Sequence, residues 1–372
     1  MQIVLIPSSS ELVGVAVHVL NLARLLRDNN LSVAVACPTD GWLADQLRQE
    51  GIPFQVIHIS YKPLYFLPSN LMLFQFLRKQ DSLRVVHLHG RFPLFVSLLS
   101  TIALKNLQFV VTVHQFCETG SAGVFRWKIR LETFIMKHLI KKICCVSESL
   151  KKEVIIRLGS QHANKVFLMR NWIYHVCQSP LESEARIDNV RGCLRITAVG
   201  RLSHEKGVDL LVDAIHILKN KGFRVTCDIY GEGPERAKLD TLINKYSLDT
   251  YVRLQGTSDR IRCLLSQYDL LVVPSRMESF GIVVLEAYDA KIPVIASNVP
   301  GLNEIVQDKK TGLLFESNNA ECLSQKIIDI ISDSELRDSL IMQGKEFVNG
   351  YFTSSDLLRQ YCQFYGIQYE KP

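Results

Sequence analysis

The stretch from Tyr268 to Glu304 places the strongest constraint on the fold, because it predicts a strand, a loop, a helix and a second strand in succession. Residues 269–273 form a mostly apolar, β-branched run that Pro274 ends, which is typical of a parallel strand buried on both faces. Residues 282–290 carry apolar side chains at helical spacing, and residues 292–296 predict the next strand. Such a unit indicates an open α/β sheet, in which ligands usually bind where the loop meets the helix.

The loop of this unit combines a predicted anion site with two carboxylates. Gly281 stands at the predicted helix start, where free backbone amides favour a phosphate and a glycine allows close approach. Glu278 and Glu286 flank this position, and carboxylates accept hydrogen bonds from sugar hydroxyls. The alternative is that Glu278 is an ordinary acid of a first helical turn and Glu286 a solvated helix residue. Spacing alone leaves both interpretations open.

The order of motifs here resembles a known family. ESFGIVVLE, then a strand, then PGLNEIVQDKKTGLLF is similar to the retaining GT-B glycosyltransferases, in particular glycosyltransferase family 4, also called glycosyl transferases group 1. The resemblance covers the whole chain and is densest from Gly200 to Phe315. It implies an α/β protein of GT-B architecture, with two Rossmann-like domains facing each other across a cleft and a C-terminal crossover helix. The implied reaction moves a sugar from a nucleotide-diphosphate donor to an acceptor hydroxyl with retention of anomeric configuration.

Composition narrows the class of protein. The 372 residues are 47% hydrophobic and 22% charged, which is typical of a globular chain long enough for two domains. A net charge of +6 is too small and dispersed to indicate nucleic-acid binding, although it suits anionic substrates or an anionic lipid surface. The ten cysteines lack metal-ligand spacing and predict buried thiols in a reducing compartment. With neither a signal-peptide pattern nor a membrane-spanning apolar run, the predicted location is cytoplasmic, or the inner face of the cytoplasmic membrane.

The first domain is predicted over residues 1–173, as an acceptor-binding domain. Its opening strand, polar loop, helix and second strand form the first half of a nucleotide-binding fold. Gly14 ends the loop at a point where the backbone must approach a neighbour or ligand. Family members usually carry two glycines there, facing the cleft; this chain has Val13 and Gly14, so the resemblance assigns a donor-binding role to Gly14 alone.

Two histidine features follow predicted strands. Residues 85–89 read VVHLH, which places two histidines on one strand face. A zinc pair is one interpretation, but the sequence shows no third ligand nearby, so we predict no metal. His114 directly follows the strand 109–113 and therefore lies in the ligand crevice, where an imidazole suits hydrogen bonding. A capping role is the alternative. The match to the family's Thr-x-His motif implies that His114 contacts the donor sugar.

Residues 124–143 predict a helix that is apolar on one side and basic on the other. VFRWKIRLETFIMKHLIKKI contains six Lys or Arg residues and one acid, Glu132. This pattern fits an interfacial helix on anionic lipid. The alternative is a helix packed on the sheet with a solvated basic face. Beyond it, residues 174–192 contain Pro180, several acids and few apolar residues, which predicts a linker.

The second domain, predicted over residues 193–353, begins with the strand 194–199 and a cationic loop. Arg201 and Lys206 precede a helix that starts near Val208, and two cations at a helix start suit a diphosphate. The spacing is not that of a P-loop, which excludes an ATPase of that class. The resemblance implies that Arg201 and Lys206 neutralise the diphosphate leaving group and that Glu278 contacts the donor sugar. The donor-binding residues that it implies are Gly14, Gly231, Ser279, Phe280, Gly281, Ile282 and Glu286.

Within that set, the resemblance assigns Glu286 to the ribose hydroxyls, the Gly231 turn to the surroundings of the base, and the amides of residues 280–282 to the diphosphate. A further helix is predicted to begin at Gly301 to Glu304, and residues 354–372 resemble the crossover helix. The implied partners are a UDP- or GDP-sugar and a glycan or lipid-linked glycan acceptor of bacterial surface polysaccharide synthesis, without metal or nucleic acid. A nucleotide-sugar epimerase of the same fold and a catalytically silent binding protein are the alternatives.

Overall fold

The computed structural model describes residues 2–59, 65–80, 82–115, 124–173, 193–351 and 354–368. The chain divides into two compact units. The first comprises Met1–Tyr174 and Thr353–Pro372, and the second comprises His175–Phe352. The predicted linker 174–192 lies outside the described residues.

The first unit is built on a parallel sheet of seven strands, in the order β3-β2-β1-β4-β5-β6-β7. The strands are β1 (Gln2–Pro7), β2 (Ser32–Cys37), β3 (Phe54–Val56), β4 (Leu83–His89), β5 (Gln108–Val113), β6 (Lys142–Cys145) and β7 (Val166–Leu168). The chain leaves β1 toward β2 on one side and returns at β4 on the other. Because the strand order reverses there, the carboxyl ends of β1 and β4 border the ligand crevice of this unit.

Among the described residues, seven α-helices connect these strands. They are α1 (Gly14–Asp28), α2 (Trp42–Gln49), α3 (Phe66–Arg78), α4 (Arg91–Val96), α5 (Leu98–Ala103), α6 (Val124–His138) and α7 (Glu148–Leu158). The helix predicted after the first strand is confirmed as α1, whose Val19, Leu22 and Leu26 are completely buried. In α3, Pro68 falls in the first helical turn, where proline is tolerated.

The predicted helix 124–143 is too long at its carboxyl end. α6 ends at His138, and the backbone amide of Lys141 donates to the carbonyl of Phe109 at 3.0 Å, which draws the chain into the sheet. Lys142 is then the first residue of β6. Two of the six basic residues assigned to the helix from sequence, Lys141 and Lys142, therefore lie beyond it.

The second unit is built on a parallel sheet of six strands, in the order β10-β9-β8-β11-β12-β13. The strands are β8 (Leu194–Val199), β9 (Val225–Tyr230), β10 (Val252–Gly256), β11 (Leu270–Val273), β12 (Val294–Ser297) and β13 (Leu313–Phe315). The helices are α8 (Val208–Asn220), α9 (Arg236–Lys245), α10 (Ile261–Leu265), α11 (Ile282–Asp289), α12 (Ala320–Ser332) and α13 (Ser334–Tyr351). The predicted strand, loop, helix and strand between residues 268 and 304 are confirmed as β11, α11 and β12.

The helix predicted to begin at Gly301 is wrong. Residues 301–305 form successive turns instead, and the next regular element is β13. Gly301 has φ +88°, and a Cβ there would lie 2.3 Å from the carbonyl oxygen of Glu278. Only glycine permits this approach, which seats the turns of residues 301–305 against the backbone of Glu278.

The last helix, α14 (Ser354–Tyr365), returns to the first unit, as the predicted crossover helix does. Tyr361, Phe364 and Tyr365 are each at most 2% exposed. The Tyr365 hydroxyl lies 2.8 Å from Nδ1 of His87 on β4. Neither α14 nor any other helix among the described residues has both the length and the apolar character needed to cross a bilayer.

Glu132 joins three helices of the first unit through a buried ion network. Its carboxylate is 1% exposed and lies 2.8 Å from Arg91 of α4 and 3.2 Å from Arg157 of α7. Both arginines are mostly buried. A buried carboxylate is stable only with such partners, and removal of one partner leaves the other charges uncompensated.

Glu132→Ala is therefore expected to lower the free energy of unfolding of the first unit by about 3 kcal/mol. All three tryptophans, Trp42, Trp127 and Trp172, lie in this unit, so tryptophan fluorescence in a denaturant titration reports it. The matched control is Asp45→Ala, which breaks an exposed pair with Arg48 and should cost less than about 1 kcal/mol. Equal losses in the two variants would contradict a structural role for the network.

Candidate active site

The carboxyl ends of β8 and β11 bring two loops of the second unit together. After β8 the chain runs through Gly200 and Arg201 into a 3-10 helix at His204–Lys206, and Gly207 then opens α8. Gly207 has φ +61°, and a Cβ there would lie 2.1 Å from the carbonyl oxygen of Pro274. Only glycine permits this approach, which seats the Lys206 loop against the end of β11.

Lys206 and Glu278 form the charged centre of the site. Lys206 Nζ lies 2.6 Å from Glu278 Oε2, with 30% and 13% of the respective side chains exposed. The Ser279 amide donates to Glu278 Oε1 at 3.2 Å, and Ser275 Oγ donates to Oε2 at 3.4 Å. An ammonium has three donors, of which Glu278 takes one. A small cavity lined by Gly200, Lys206 and Ser275 adjoins the pair.

Arg276 clamps the two loops. Its guanidinium makes two hydrogen bonds of 2.7 Å to Asp209, in the first turn of α8, and a third of 2.9 Å to the carbonyl of His204. The backbone amides of Arg276 and Met277 both donate to the carbonyl of Glu205. Paired bonds between a guanidinium and a carboxylate are strong and directional. Lys206 and Glu278 are thus held at their distance by the backbone on either side of them.

Five further predicted donor residues lie on the loops and helix start of the same unit. Gly231 follows β9, lies against the carbonyl of Gly200 and donates its amide to Gly256 at 2.7 Å. Gly281 is the N-cap of α11, and no side chain caps this helix. Phe280 is 2% exposed, so it offers a ligand only its backbone. Ile282, the first residue of α11, is partly exposed, and Ser279 is buried.

Glu286 lies one turn into α11 and is only partly exposed. Burial raises the pKa of its carboxyl to about 7. The positive charge of Arg262 opposes this shift, and the negative charge of Asp289 adds to it. The group therefore carries a free-energy cost whenever it is ionised, and it titrates close to neutral pH.

The structure does not bring every predicted charged residue together. Arg201 is exposed, and its side chain forms no hydrogen bond or ion pair within the described ranges. Across those same ranges, neither Arg201 nor Glu286 bonds to Lys206 or Glu278. Lys206 and Gly231 both lie against Gly200, and the Glu278 side chain lies beside Gly281 at the start of α11, so these residues form one connected group of contacts.

In the first unit, partly exposed His114 belongs to a histidine cluster, defined as His18, His87, His89 and His114, whose other three members are buried. His114 Nε2 lies 3.3 Å from His89 Nδ1, and the rings of His87 and His89 are 4.0 Å apart between centroids, on one face of β4 as predicted. His87 is bonded to Thr112 and Tyr365. Burial lowers the pKa of each ring, that of His18 to about 4, so the cluster is neutral at pH 7.

Sequence reasoning missed His18. Its Nδ1 bonds Asn171 Oδ1 at 2.8 Å, and its ring packs edge-on against His114 and Trp172. The sequence offered only helical periodicity at this position, and its partner lies 153 residues away. Gly14 begins the same helix, and a Cβ added there would meet no atom within 4 Å, so packing within this unit does not require glycine at this position.

The expectation that no third ligand lies near the strand histidines is wrong. Ring nitrogens of His18, His89 and His114 lie within 4.8 Å of one another. A zinc ion about 2.1 Å from three nitrogens needs them about 3.4 Å apart in tetrahedral geometry. The rings would have to close up to hold an ion, whereas the present spacing suits the hydrogen bonds and ring contacts that they make.

The chain has two parallel-sheet Rossmann-like units, and the second has a cationic loop beside an uncapped helix start, which is the arrangement expected of a GT-B glycosyltransferase. Residues 190–347 match the family model of glycosyl transferases group 1, and residues 13–174 match that of glycosyltransferase family 4. The chain belongs to glycosyltransferase family 4. The expected fold and family are both confirmed.

Known proteins resemble the chain over most of its length. The uncharacterized glycosyltransferase MJ1178 of Methanocaldococcus jannaschii is 29% identical over 343 residues, which cover 90% of this chain and 89% of that protein. The poly(ribitol-phosphate) alpha-N-acetylglucosaminyltransferase of Staphylococcus aureus is 22% identical, over 77% of this chain and 55% of that protein. The crystal structure of Anabaena Alr3699/HepE with UDP-glucose has a TM-score of 0.84 and 20% identity, with 98% of each chain covered.

The raised pKa of Glu286 predicts that Glu286→Gln stabilises the second unit in a pH-dependent way. The folded carboxyl, with a pKa of about 7, holds its proton where the unfolded one, near 4.5, has lost it, so the native state loses stability as pH rises through this window. The free energy of unfolding of the variant should exceed that of the wild type by about 3 kcal/mol at about pH 8 and by only about 1 kcal/mol at about pH 5.5.

Hydrogen exchange of the β11 and β12 amides measures this difference, since the second unit contains no tryptophan. Glu346→Gln, at an exposed position on α13, is the control and should change stability little at either pH. A gain for Glu286→Gln that is the same at both pH values would contradict the assigned pKa.

Proposed function

We propose that this glycosyltransferase takes its sugar from a nucleotide-diphosphate donor, a UDP- or GDP-sugar, and transfers it to an acceptor hydroxyl with retention. The observation that carries the proposal is the Lys206–Glu278 pair, 2.6 Å apart beside the uncapped start of α11. A cation and free helix amides on one side of a carboxylate suit a ligand that has phosphates at one end and hydroxyls at the other.

The diphosphate is the leaving group, and negative charge develops on it as the glycosidic bond breaks. Lys206 and the first-turn amides of α11 are held in place before the donor arrives, which is the condition for electrostatic catalysis. Arg201 has no competing bond among the described residues, so its side chain is available to a phosphate oxygen. These groups supply the positive charge that a divalent cation supplies elsewhere, and we propose a metal-independent reaction.

The carboxylates and His114 contact hydroxyl groups in this proposal. Glu278 accepts from the donor sugar while its hydrogen bond to Lys206 orients it. Glu286 accepts from the ribose hydroxyls, which requires its ionised form and therefore carries the stability cost described above. His114, neutral at pH 7, is proposed to hydrogen-bond the donor sugar, and Gly14 is proposed as a donor-binding residue.

Retention in most glycosidases depends on a carboxylate nucleophile. Glu278 is already bonded to Lys206, Ser275 and the Ser279 amide, so we assign it no such role. In the step proposed here, the bond between the anomeric carbon and the phosphate oxygen breaks, and the acceptor oxygen bonds the same face. The acceptor proton passes to the departing phosphate oxygen, so no protein base is needed.

The acceptor is proposed to be a glycan or lipid-linked glycan of a bacterial surface polysaccharide. The S. aureus relative is named for a poly(ribitol-phosphate) acceptor, and HepE was crystallised with UDP-glucose. The first name supports a polymer as acceptor, and the second supports a sugar nucleotide as donor. A lipid-linked acceptor places the enzyme at the inner face of the cytoplasmic membrane.

Donor binding is tested by thermal shift against UDP, GDP and their sugars. One of them should raise the melting temperature of the wild type, because ligand binds only the native state. Lys206→Ala should weaken its binding at least about tenfold, through loss of charge-assisted bonds. Lys221→Ala, at an exposed position after α8, should bind as the wild type does. If none of these nucleotides stabilised the wild type, the result would contradict the proposed donor.

Stereochemistry and metal independence are tested with the donor so found and a panel of p-nitrophenyl glycosides as soluble acceptors. We expect release of the nucleoside diphosphate, an unchanged rate in EDTA, and a new glycoside whose anomeric proton coupling matches that of the donor. Glu278→Gln should lower kcat about a hundredfold. Donor isomerisation without acceptor would establish the epimerase alternative, and binding without product the silent one. An inverted product would refute the proposed mechanism.

A further inference from the structure

Exposed apolar side chains of the first unit concentrate on four consecutive helices, α3, α4, α5 and α6. Six of them are between 47% and 73% exposed: Leu67, Leu71, Phe92, Ile102, Trp127 and Phe134. A single exposed apolar side chain is ordinary, but a concentration on neighbouring elements marks an interaction surface.

The four helices form one continuous surface, here called the α3–α6 face. α3 packs against α4 and α5, and α4 packs against α6. Asn70 of α3 donates to the carbonyl of Phe95 on α4 at 3.2 Å and accepts from the amide of Leu99 on α5 at 3.1 Å. Arg91 of α4 is bonded to Glu132 of α6. These buried polar bonds fix the helices as one rigid layer.

The exposed charged residues of this face are basic. Arg78, Lys79, Lys105 and Arg130 are exposed on or beside these helices. Residues 65–113 and 124–142 contain only two acids, Asp81 and Glu132. Glu132 is buried between two arginines, and Asp81 lies outside the described residues. Large apolar side chains among cations, with no exposed acid in the described part of these segments, are typical of a surface that meets anionic lipid.

We propose that the α3–α6 face docks the protein on an anionic lipid bilayer, with its apolar side chains among the lipid chains near the headgroups and its basic residues at the phosphates. Charge complementarity selects this occupant, because each Lys or Arg near such a surface is attracted to it. Trp127 suits the interface, where an amphipathic ring finds both an apolar and a polar neighbour.

This surface differs from the single interfacial helix that the sequence predicts. Ile135 and Met136 of α6 are completely buried, so the apolar stripe of that helix packs into the unit, as the alternative interpretation has it. Trp127 and Phe134 of α6 are exposed. They belong to the α3–α6 face together with the exposed side chains of α3, α4 and α5. The inference rests on the proposed function in one respect only: a lipid-linked acceptor is located in a membrane, where the enzyme must bind it.

The test is flotation of the full chain with vesicles of phosphatidylcholine alone and of phosphatidylcholine with about one third phosphatidylglycerol. The wild type should float with the anionic vesicles and not with the neutral ones, and high salt should release it. The double variant Leu67→Glu, Trp127→Glu should partition at least about tenfold less, because apolar area is lost and two charges oppose the lipid.

The matched control is Ile156→Glu, Met342→Glu, which removes two apolar side chains of 82% and 63% exposure outside the face, on α7 and α13, with the same change in net charge. It should float as the wild type does. Failure of the wild type to float, or an equal loss in both double variants, would overturn the proposal. If the face instead joined two copies of the chain, light scattering would show a change of mass for the Leu67→Glu, Trp127→Glu variant only, and the wild type would not bind lipid. That result would also overturn the proposal.

Transfer to the soluble acceptor separates this inference from the proposed function. Both double variants should match the wild type in that assay, because neither touches the active-site loops. Flotation without any transfer would support the docking surface and contradict the proposed reaction. Transfer without flotation would support the reaction and contradict the docking surface.

Discussion

The ion pair between Lys206 and Glu278 depends on two loops that are distant in sequence and adjacent in the sheet. The partners are 72 residues apart along the chain, yet β8 and β11 are neighbouring parallel strands, so their carboxyl ends meet at one edge. Gly207 and Arg276 then set the spacing of the loops, one by a close backbone approach and the other by paired bonds to Asp209. Much of the second unit therefore serves to hold one cation beside one carboxylate.

The parts of the fold that sequence predicts are those with a strong local pattern. β11, α11 and β12 follow directly from a buried apolar run, a proline and helical spacing. The false helix at Gly301 and the excess length of α6 share a cause, since each depends on a tertiary contact, with the Glu278 carbonyl in one case and the Phe109 carbonyl in the other. Local pattern carries no information about either contact.

The candidate site was less predictable from the sequence than these elements of the fold. Residue spacing indicated an anion site with flanking acids, and the family resemblance supplied the individual roles. The pairing of Lys206 with Glu278, the clamp by Arg276 and the cluster around His18 all needed the structure, because each joins segments that only the sheet order brings together. Burial also opposes ionisation of Glu286, so the role proposed for this carboxylate, acceptance of ribose hydroxyls, would be accompanied by a cost in stability.

The histidine cluster and Glu286 contribute opposite pH dependences to the stability of the two units. Below about pH 6.5 an unfolded chain takes up protons on histidines that the folded first unit, with their pKa values lowered by burial, refuses. Protonation of these histidines therefore favours opening of the first unit, while protonation of Glu286 favours the folded second unit. Through these side chains, one change of pH acts with opposite sign on two parts of the same chain.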